Sequence, residues 1–491
     1  MMKSSVFACR RWFVPVLAVF LCNGVYAQRP SGIPQLESRP GADYTIYLNV
    51  GGFEYDGTWS GIEPGYTAPL NDIPDTGTFS TVEQTQISVL WAQVASSFVG
   101  FNVNVTTIDP YDSVGNSNAT DADRQAFYDA TPNMLHTVIG SQVRNEGSGP
   151  VKWYSNDADG VSGLGIAAGI AANPGDHTNW MFSEAQAGDG TGGVINGAYI
   201  GAVTAHENAH AFGLYHQSDY SDTTSTLVNE YSLGDDAPED GAYVPIIGQA
   251  DGRQRVAFRV GDADVEGART VQNDVAKMLS TSSIAGSGNR TGAADLMLID
   301  DGIGGTRDDA TTLALTGDII DVSSRQNKGV IVPLNSSDLD PLGVEKYTEN
   351  WHSFYTDGMD AISLMVNNGT DFLSAGVADL LTIDSMAGLL RSKLTIFDAT
   401  GSVVGTGVES DDTLTVSFSD LLAQGNYFAQ VQSFGGHVQD APAYSDASYF
   451  DMGAYFLTGS GFDVSAVPEP SSIAFCMIGF VAVVGSRRRR R

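Results

Sequence analysis

Thr204-Ala-His-Glu-Asn-Ala-His-Ala-Phe-Gly-Leu-Tyr-His-Gln-Ser-Asp219 is the stretch around which the rest of the chain can be interpreted. If it is helical, His206 and His210 project from one face a single turn apart. Gly213 then allows the helix to end, since glycine tolerates left-handed dihedral angles. After that turn His216 can supply a third ring nitrogen. Three neutral nitrogens leave one tetrahedral position open, which is typical of a catalytic zinc site and not of a structural one.

The spacing of these residues also fits a longer signature. Glu207 lies beside the first histidine and can accept a proton from water. The pattern resembles that of the metzincin zinc metallopeptidases: His206-Glu-x-x-His210-x-x-Gly213-x-x-His216, with Asp219 three residues later. The resemblance implies that the three histidines hold one Zn²⁺ and that Glu207 polarises the metal-bound water. It also implies that Asp219 fixes the loop of the third histidine, and that residues 40–297 form an α/β (α+β) catalytic domain.

One position departs from that family. Metzincins carry a methionine in a tight turn beneath the metal, and Val244-Pro-Ile-Ile-Gly248 occupies the corresponding place, with Ile247 where the methionine is expected. Isoleucine fills a similar apolar volume. The other candidate is Ala294-Asp-Leu-Met297, which has a methionine but lies much further along the chain. We favour Ile247, and either choice leaves the ligand set complete.

The organisation of the chain suggests two folded parts. Ahead of the motif, alternating strand and helix patterns, including the capping-box sequence Ser80-Thr-Val-Glu83, predict a mostly parallel sheet with helices. The motif helix is expected from about Gly197 to Phe212. Over residues 300–465 strand-like runs recur between turn signals and predict a β-sandwich. This part resembles the bacterial pre-peptidase C-terminal domain at Leu394-Thr-Ile-Phe-Asp-Ala-Thr-Gly401 and Gly425-Asn-Tyr-Phe-Ala-Gln-Val431.

Both termini have the composition of sorting signals. Residues 1–27 combine basic residues, an apolar run and Val25-Tyr26-Ala27, as in an export signal. Residues 466–491 contain Val467-Pro-Glu-Pro470, a short apolar run and terminal arginines, and resemble the PEP-CTERM signal. That resemblance implies cleavage by an exosortase, only transient contact with the inner membrane, and delivery to the surface or matrix of a Gram-negative bacterium. A permanent membrane anchor is the alternative.

The net charge and the positions of the cysteines restrict the possible partners and the possible chemistry of the protein. The formal net charge of −33 argues against nucleic acid and anionic membrane surfaces as partners. All the cysteines lie in the two terminal segments, so removal of both segments leaves a protein without a thiol. Carboxylates in Asn156-Asp-Ala-Asp-Gly160, at Asp300-Asp301 and at Asp308-Asp309 could bind Ca²⁺, although acidic surface loops explain them more simply.

We therefore expect a secreted zinc endopeptidase that acts on protein or peptide substrates. One alternative is a catalytically weak or inactive surface or matrix protein that uses the sandwich for binding. Another is a zinc hydrolase whose substrate is not a peptide.

Overall fold

A computed structural model describes most of the chain. The described residues are 29–62, 65–70, 77–114, 119–146, 149–154, 158–162, 177–183, 196–221, 224–234, 243–249, 255–279, 296–334, 341–369, 388–409, 414–438 and 447–463. The expected export signal (1–27) and sorting signal (466–491) lie outside these ranges, as do residues 156–157 and 294–295 of the motifs above. Within the described ranges, no helix has both the length and the apolar character needed to cross a bilayer.

The described helices are α1 (Thr81–Ser97), α2 (Asp121–Ala130), α3 (Gly197–Ala211) and α4 (Asp274–Leu279). A capping box begins α1, because the Ser80 hydroxyl accepts a hydrogen bond from Glu83 N and the Glu83 carboxylate accepts one from Ser80 N. Helices α1 and α3 pack closely where Gly201 faces α1. A Cβ at Gly201 would lie 2.8 Å from the Leu90 carbonyl oxygen. Glycine at this point lets the two helices approach each other.

The described strands of the first part are β1 (Tyr44–Asn49), β2 (Phe53–Glu54), β3 (Tyr66–Thr67), β4 (Val103–Thr106), β5 (Met134–Gly140), β6 (Val143–Glu146), β7 (Gly149–Lys152), β8 (Gly160–Val161), β9 (Thr178–Phe182), β10 (Asp219–Tyr220), β11 (Leu227–Asn229), β12 (Tyr243–Pro245), β13 (Arg255–Ala257), β14 (Arg259–Val265) and β15 (Ala268–Asn273). Five of them form a sheet in the order β4-β1-β5-β9-β8. Its neighbours pair in parallel, except that β8 pairs antiparallel to β9.

Alternate residues of this sheet enter two different cores. Ile46 and Leu48 of β1 pack in the cluster that contains the apolar residues of α1 and α3. Tyr47, between them, packs instead with Tyr128 of α2 and Trp180 of β9. This is the two-residue period of a strand buried on both faces. The helix that carries His206 and His210 is therefore held on one face of the sheet, and β8 is the outermost of the described strands on that side of β9.

The α/β (α+β) class expected for residues 40–297 is wrong. Among the described residues, 41% lie in strands and 19% in helices, and the strands fall into many sheets, so the protein is β-rich. The strands that sequence reasoning missed are short or lack alternation. In β15, for example, the first four residues are exposed and only the last two are buried. No apolar period of two marks such a strand.

The described strands of the second part are β16 (Thr311–Thr312), β17 (Leu315–Thr316), β18 (Ile319–Ile320), β19 (Lys328–Ile331), β20 (Glu349–Thr356), β21 (Ile362–Asn368), β22 (Ser392–Asp398), β23 (Val403–Thr406), β24 (Val408–Glu409), β25 (Val416–Asp420), β26 (Gly425–Ser433), β27 (His437–Val438), β28 (Ser448–Tyr449) and β29 (Gly453–Ser460). One sheet has the order β16-β20-β26-β22-β23. The other has the order β17-β18-β29-β21-β25-β24, with β19 also paired to β29. Their pairs are antiparallel except for β16 with β20.

A further sheet joins strands from both parts of the chain. Its order is β15-β14-β28-β27, and β14 pairs with β28 through Arg259 opposite Tyr449 and Val260 opposite Ser448. Apolar residues of both parts also belong to one continuous core cluster. The second part of the chain thus extends the sheet that lies next to the segment carrying His216.

Candidate metal centre

Helix α3 brings the first two histidines together. The Asn196 side chain caps the helix by accepting a hydrogen bond from Tyr199 N. His206 and His210 then lie one turn apart on the same face, with their Nε2 atoms 3.1 Å from each other. The helix that the sequence predicted over about 197–212 is found at Gly197–Ala211.

A glycine ends the helix and directs the third histidine back to the other two. Gly213 has φ 98°, and its N–H donates to the His210 carbonyl at 2.8 Å. The ring of His216 then lies 4.7 Å from that of His210 and 5.5 Å from that of His206, measured between centroids. Ligand nitrogens of all three histidines lie within 4.8 Å of one another.

The donor set suits zinc. Zinc–nitrogen bonds of about 2.0–2.1 Å at tetrahedral angles place two ligand nitrogens roughly 3.3 Å apart. The separation of 3.1 Å between the His206 and His210 Nε2 atoms is close to that value. In His210 the other nitrogen, Nδ1, donates to the Leu214 carbonyl at 2.6 Å, so Nε2 keeps its lone pair. The lone pair of His210 Nε2 therefore points at His206 Nε2. A cation bound by both nitrogens would stabilise this arrangement.

Burial keeps the three rings neutral. Desolvation lowers the pKa of His210 and of His216 to about 4, and it lowers the pKa of His206 well below its ordinary value. Neighbouring histidines add to the effect at His206 and His210. His216 also places Nδ1 3.2 Å from the Glu230 carboxylate, which can orient the ring. Neutral imidazole is the form that binds a metal ion.

Glu207 is buried beside the three histidines. Burial, and then the nearby charge of Asp159, raise the pKa of Glu207 to about 8. A divalent cation held by the histidines would lower that pKa again, since it favours the carboxylate. Gly160 of β8 lies directly against this side chain, because a Cβ there would be 2.7 Å from Glu207 Cγ. The carboxyl group is thus confined between α3 and the outer strand of the sheet.

The supporting residues expected from the sequence lie around His216 and His206. Asp219 is buried, and its carboxylate accepts hydrogen bonds from Asn229 Nδ2 at 3.0 Å and Leu233 N at 3.2 Å. It therefore braces the segment that carries Glu230, whose carboxylate lies 3.2 Å from His216 Nδ1.

Residues 245–248 form the tight turn expected next to the site. The Gly248 N–H donates to the Pro245 carbonyl at 2.8 Å, and Gly248 lines the cleft together with His206. Ile247 is fully buried, and its carbonyl accepts from Gln217 N at 3.0 Å. Met297, the other candidate, is 56% exposed and its carbonyl pairs with Asn102 N. The geometry favours the turn with Ile247.

The histidines open into a cleft of about 710 Å³. Sequence reasoning did not identify several residues that line it: Tyr154, Tyr199, Tyr231, Gln249 and Asp264. Asp159, which the sequence suggested only as a calcium ligand, lines the cleft as well. The ring of Tyr231 lies 4.3 Å from that of His216, and the Tyr199 hydroxyl donates to Asp159 at 3.1 Å. Tyr199 lies on α3 and Asp264 on β14, whereas the others come from segments between strands, and none carries a local signal for the cleft.

Three of the carboxylates considered for calcium have protein partners, namely Asp159, Asp301 and Asp309. Asp159 belongs to the cleft. Asp301 accepts hydrogen bonds from Val330 N at 2.7 Å and Asn350 Nδ2 at 2.8 Å, and Asp309 accepts from Thr306 N at 2.7 Å. Within the described ranges, the three histidines are the one group of three or more ligand-type side chains with mutual distances suited to an ion.

No protein-family model matches the chain, and no curated protein matches it. The likeness to metzincin peptidases therefore depends on the order and geometry of residues 206–219.

Proposed function

We propose that this protein is an exported zinc-dependent endopeptidase that hydrolyses peptide bonds in protein or peptide substrates. The observation that carries the proposal is the convergence of three neutral imidazoles beside a buried glutamate at the base of an open cleft. Export and surface delivery are part of the proposal, and the two terminal segments support them by their sequence.

The residues of the site would divide the work between binding and proton transfer. His206, His210 and His216 would hold Zn²⁺, which acts as a Lewis acid that makes water more acidic and stabilises negative charge on a carbonyl oxygen. Glu207 would take a proton from the attacking water on its carboxylate and return it to the departing amine. Its burial keeps the carboxyl group in one orientation and excludes competing solvent.

The outer strand of the first sheet supports a peptide as substrate. Gly160 and Val161 of β8 pair on one side with β9, and both residues line the cleft. An extended peptide can add to the outer edge of a sheet through main-chain hydrogen bonds. The cleft also carries tyrosine side chains, which supply large apolar contacts together with a hydroxyl group.

Replacing Glu207 by Gln tests the proposal most directly. Loss of the proton acceptor is expected to lower kcat by a factor on the order of 10²–10⁴. Zinc content should stay equal to that of wild type, since no ligand changes. The assay measures hydrolysis of a peptide mixture by mass spectrometry and zinc content by elemental analysis.

Glu349→Gln is a matched control. The Glu349 carboxylate accepts hydrogen bonds from Gln430 at 2.6 Å and Gln432 at 2.9 Å in the second part of the chain. This variant should hydrolyse peptides as wild type does. Unchanged hydrolysis by Glu207→Gln, or hydrolysis by wild type that resists complete zinc removal, would rule out the mechanism.

A further inference from the structure

The segment that carries His216 lacks regular structure, unlike the helix that carries the other two histidines. Residues 214–216 belong neither to a helix nor to a strand. Their backbone must therefore be held by contacts from elsewhere, because a ligand on a loose segment loses conformational entropy when it binds metal. The contacts on both sides of His216 lead to a buried polar cluster formed by Gln217, Arg259, Gln272 and Asp274.

This cluster is centred on one carboxylate. Asp274, at the first turn of α4, is fully buried and accepts hydrogen bonds on both oxygens. Oδ1 accepts from Gln217 Nε2 and from Gln272 Nε2, each at 2.9 Å. Oδ2 accepts from Arg259 N at 3.0 Å. The cluster is closed by Arg259 Nε, which donates to Gln217 Oε1 at 2.8 Å.

Two members of the cluster hold the residues that flank His216. Gln272 binds the backbone of Tyr215 twice: its Oε1 accepts from Tyr215 N at 3.1 Å, and its Nε2 donates to Tyr215 O at 3.0 Å. On the other side, the Gln217 side chain is bound to Asp274 and Arg259. Gln217 is 0% exposed, and its main chain is fixed by hydrogen bonds to Ile247 and Ser232. The residues before and after the third histidine are thus both tied to the carboxylate of Asp274.

We propose that Asp274 is a positioning residue for the third metal ligand, acting through Gln217 and Gln272 to hold the backbone of His216. The inference depends on the metal site proposed above and adds to it a residue that touches neither metal nor substrate. Partners that orient metal ligands from outside the site contribute about 10–100-fold to metal affinity. The same range is expected for loss of the Asp274 carboxylate.

Asp274→Asn provides the test. An amide has one acceptor oxygen, so its NH₂ group must face at least one of the three donors now bound by the carboxylate. Zinc affinity, measured by competition with a chromophoric chelator, is expected to fall about 10–100-fold. The visible absorption of the Co²⁺-loaded protein should change as well, because the coordination geometry changes at His216. Gln272→Met, which removes the hydrogen bonds of Gln272 to Tyr215 and Asp274 but keeps the one between Gln217 and Asp274, should give a smaller loss in the same direction.

Asp451→Asn is the matched control, since Asp451 is also buried and accepts hydrogen bonds from Ser433, Phe434 and Arg391. It should lower the unfolding temperature by a similar amount and leave zinc affinity unchanged within twofold. Zinc affinity equal to that of wild type in both Asp274→Asn and Gln272→Met would overturn the positioning role while leaving the metal site intact. An equal loss in Asp451→Asn would also overturn it, since general destabilisation would then explain the effect. Wild type that binds no zinc would overturn both proposals.

Discussion

Gly160 offers a perturbation that moves the proposed proton acceptor without touching a ligand. In Gly160→Ala the new Cβ would lie 2.7 Å from Glu207 Cγ, 2.9 Å from Glu207 Oε1 and 2.9 Å from the Trp180 carbonyl oxygen. The Trp180 carbonyl group cannot move away from the new Cβ, because Trp180 pairs with Val161 in the sheet. Glu207 must therefore move. An ordinary carbon–carbon contact is about 3.5 Å, so its Cγ must shift by roughly 0.8 Å.

The expected effect on catalysis is large. A misplacement of about 1 Å can lower the rate on the order of 10²-fold, which corresponds to about 2.7 kcal/mol in the barrier. Overpacking should reduce the free energy of unfolding by about 1–3 kcal/mol. Zinc content should stay equal to that of wild type, because the three atoms nearest to the added Cβ belong to Glu207 and Trp180 and not to a histidine. Steady-state hydrolysis of a fluorogenic peptide, elemental analysis and thermal unfolding measure the three quantities.

A glycine in open surroundings supplies the control. At Gly305 an added Cβ would meet only the Glu349 carbonyl oxygen, at 3.9 Å. Gly305→Ala should therefore change neither hydrolysis nor stability appreciably. Full hydrolytic activity in folded, zinc-loaded Gly160→Ala would refute the reasoning, since a displaced Glu207 would then make no difference to the reaction.

Three further predictions concern the turn, a buried acid and the first part of the chain. Ile247→Met conserves side-chain volume, so thermal unfolding should show a loss of stability below about 1.5 kcal/mol, and kcat/KM should change by less than tenfold. A larger loss of stability or of kcat/KM would contradict the packing role given to Ile247. Burial raises the pKa of Asp451 to about 6 in the folded protein, so its stabilising contribution is complete below pH 3.8 and is lost as the pH rises through 6. The stability difference between wild type and Asp451→Asn should accordingly shrink by up to about 3 kcal/mol from pH 4 to pH 7, and denaturant titrations that show a constant difference would disprove the shift. Tyr128→Phe removes a buried hydrogen bond of 2.7 Å to the Asp109 carboxylate and should lower the free energy of unfolding by about 2 kcal/mol without altering hydrolysis. Reduced hydrolysis in the folded variant would contradict the expectation that Tyr128 affects stability alone.

Local features of the sequence predicted the parts of the site that depend on short-range geometry. The spacing of His206 and His210 requires only one helical turn, and the end of the helix before His216 requires only Gly213. The strand-like runs of the second part also correspond to strands, such as β21 (Ile362–Asn368) and β26 (Gly425–Ser433). In each case the signal is carried by residues that are neighbours in sequence.

The remaining features depend on contacts between distant residues. Asp274 and Gln217 meet although they are 57 residues apart, and no periodic pattern connects them. The sequence indicated that Asp159 belongs to an acidic loop, and only the position of β8 beside α3 brings it next to Glu207. The short strands that overturned the expected α/β class also depend on contacts between residues that are distant in sequence. Their pairing is fixed by a few backbone hydrogen bonds and by burial of a neighbour, and neither is visible in a sequence window.

The pairing of β14 with β28 has a consequence for any shortened form of the protein. Arg259 donates a hydrogen bond to Gln217, and the central carbon of its guanidinium lies over the ring of Tyr449, 5.9 Å from the ring centroid. A chain that stops before Ser448 would contain all three histidines and Glu207, yet β14 would lose its pairing at Arg259 and Val260, and Arg259 would lose its contact with the ring of Tyr449. Separating residues up to 297 from the rest of the chain would therefore remove contacts that support β14 and Arg259, and the full chain is the form in which the site should be studied.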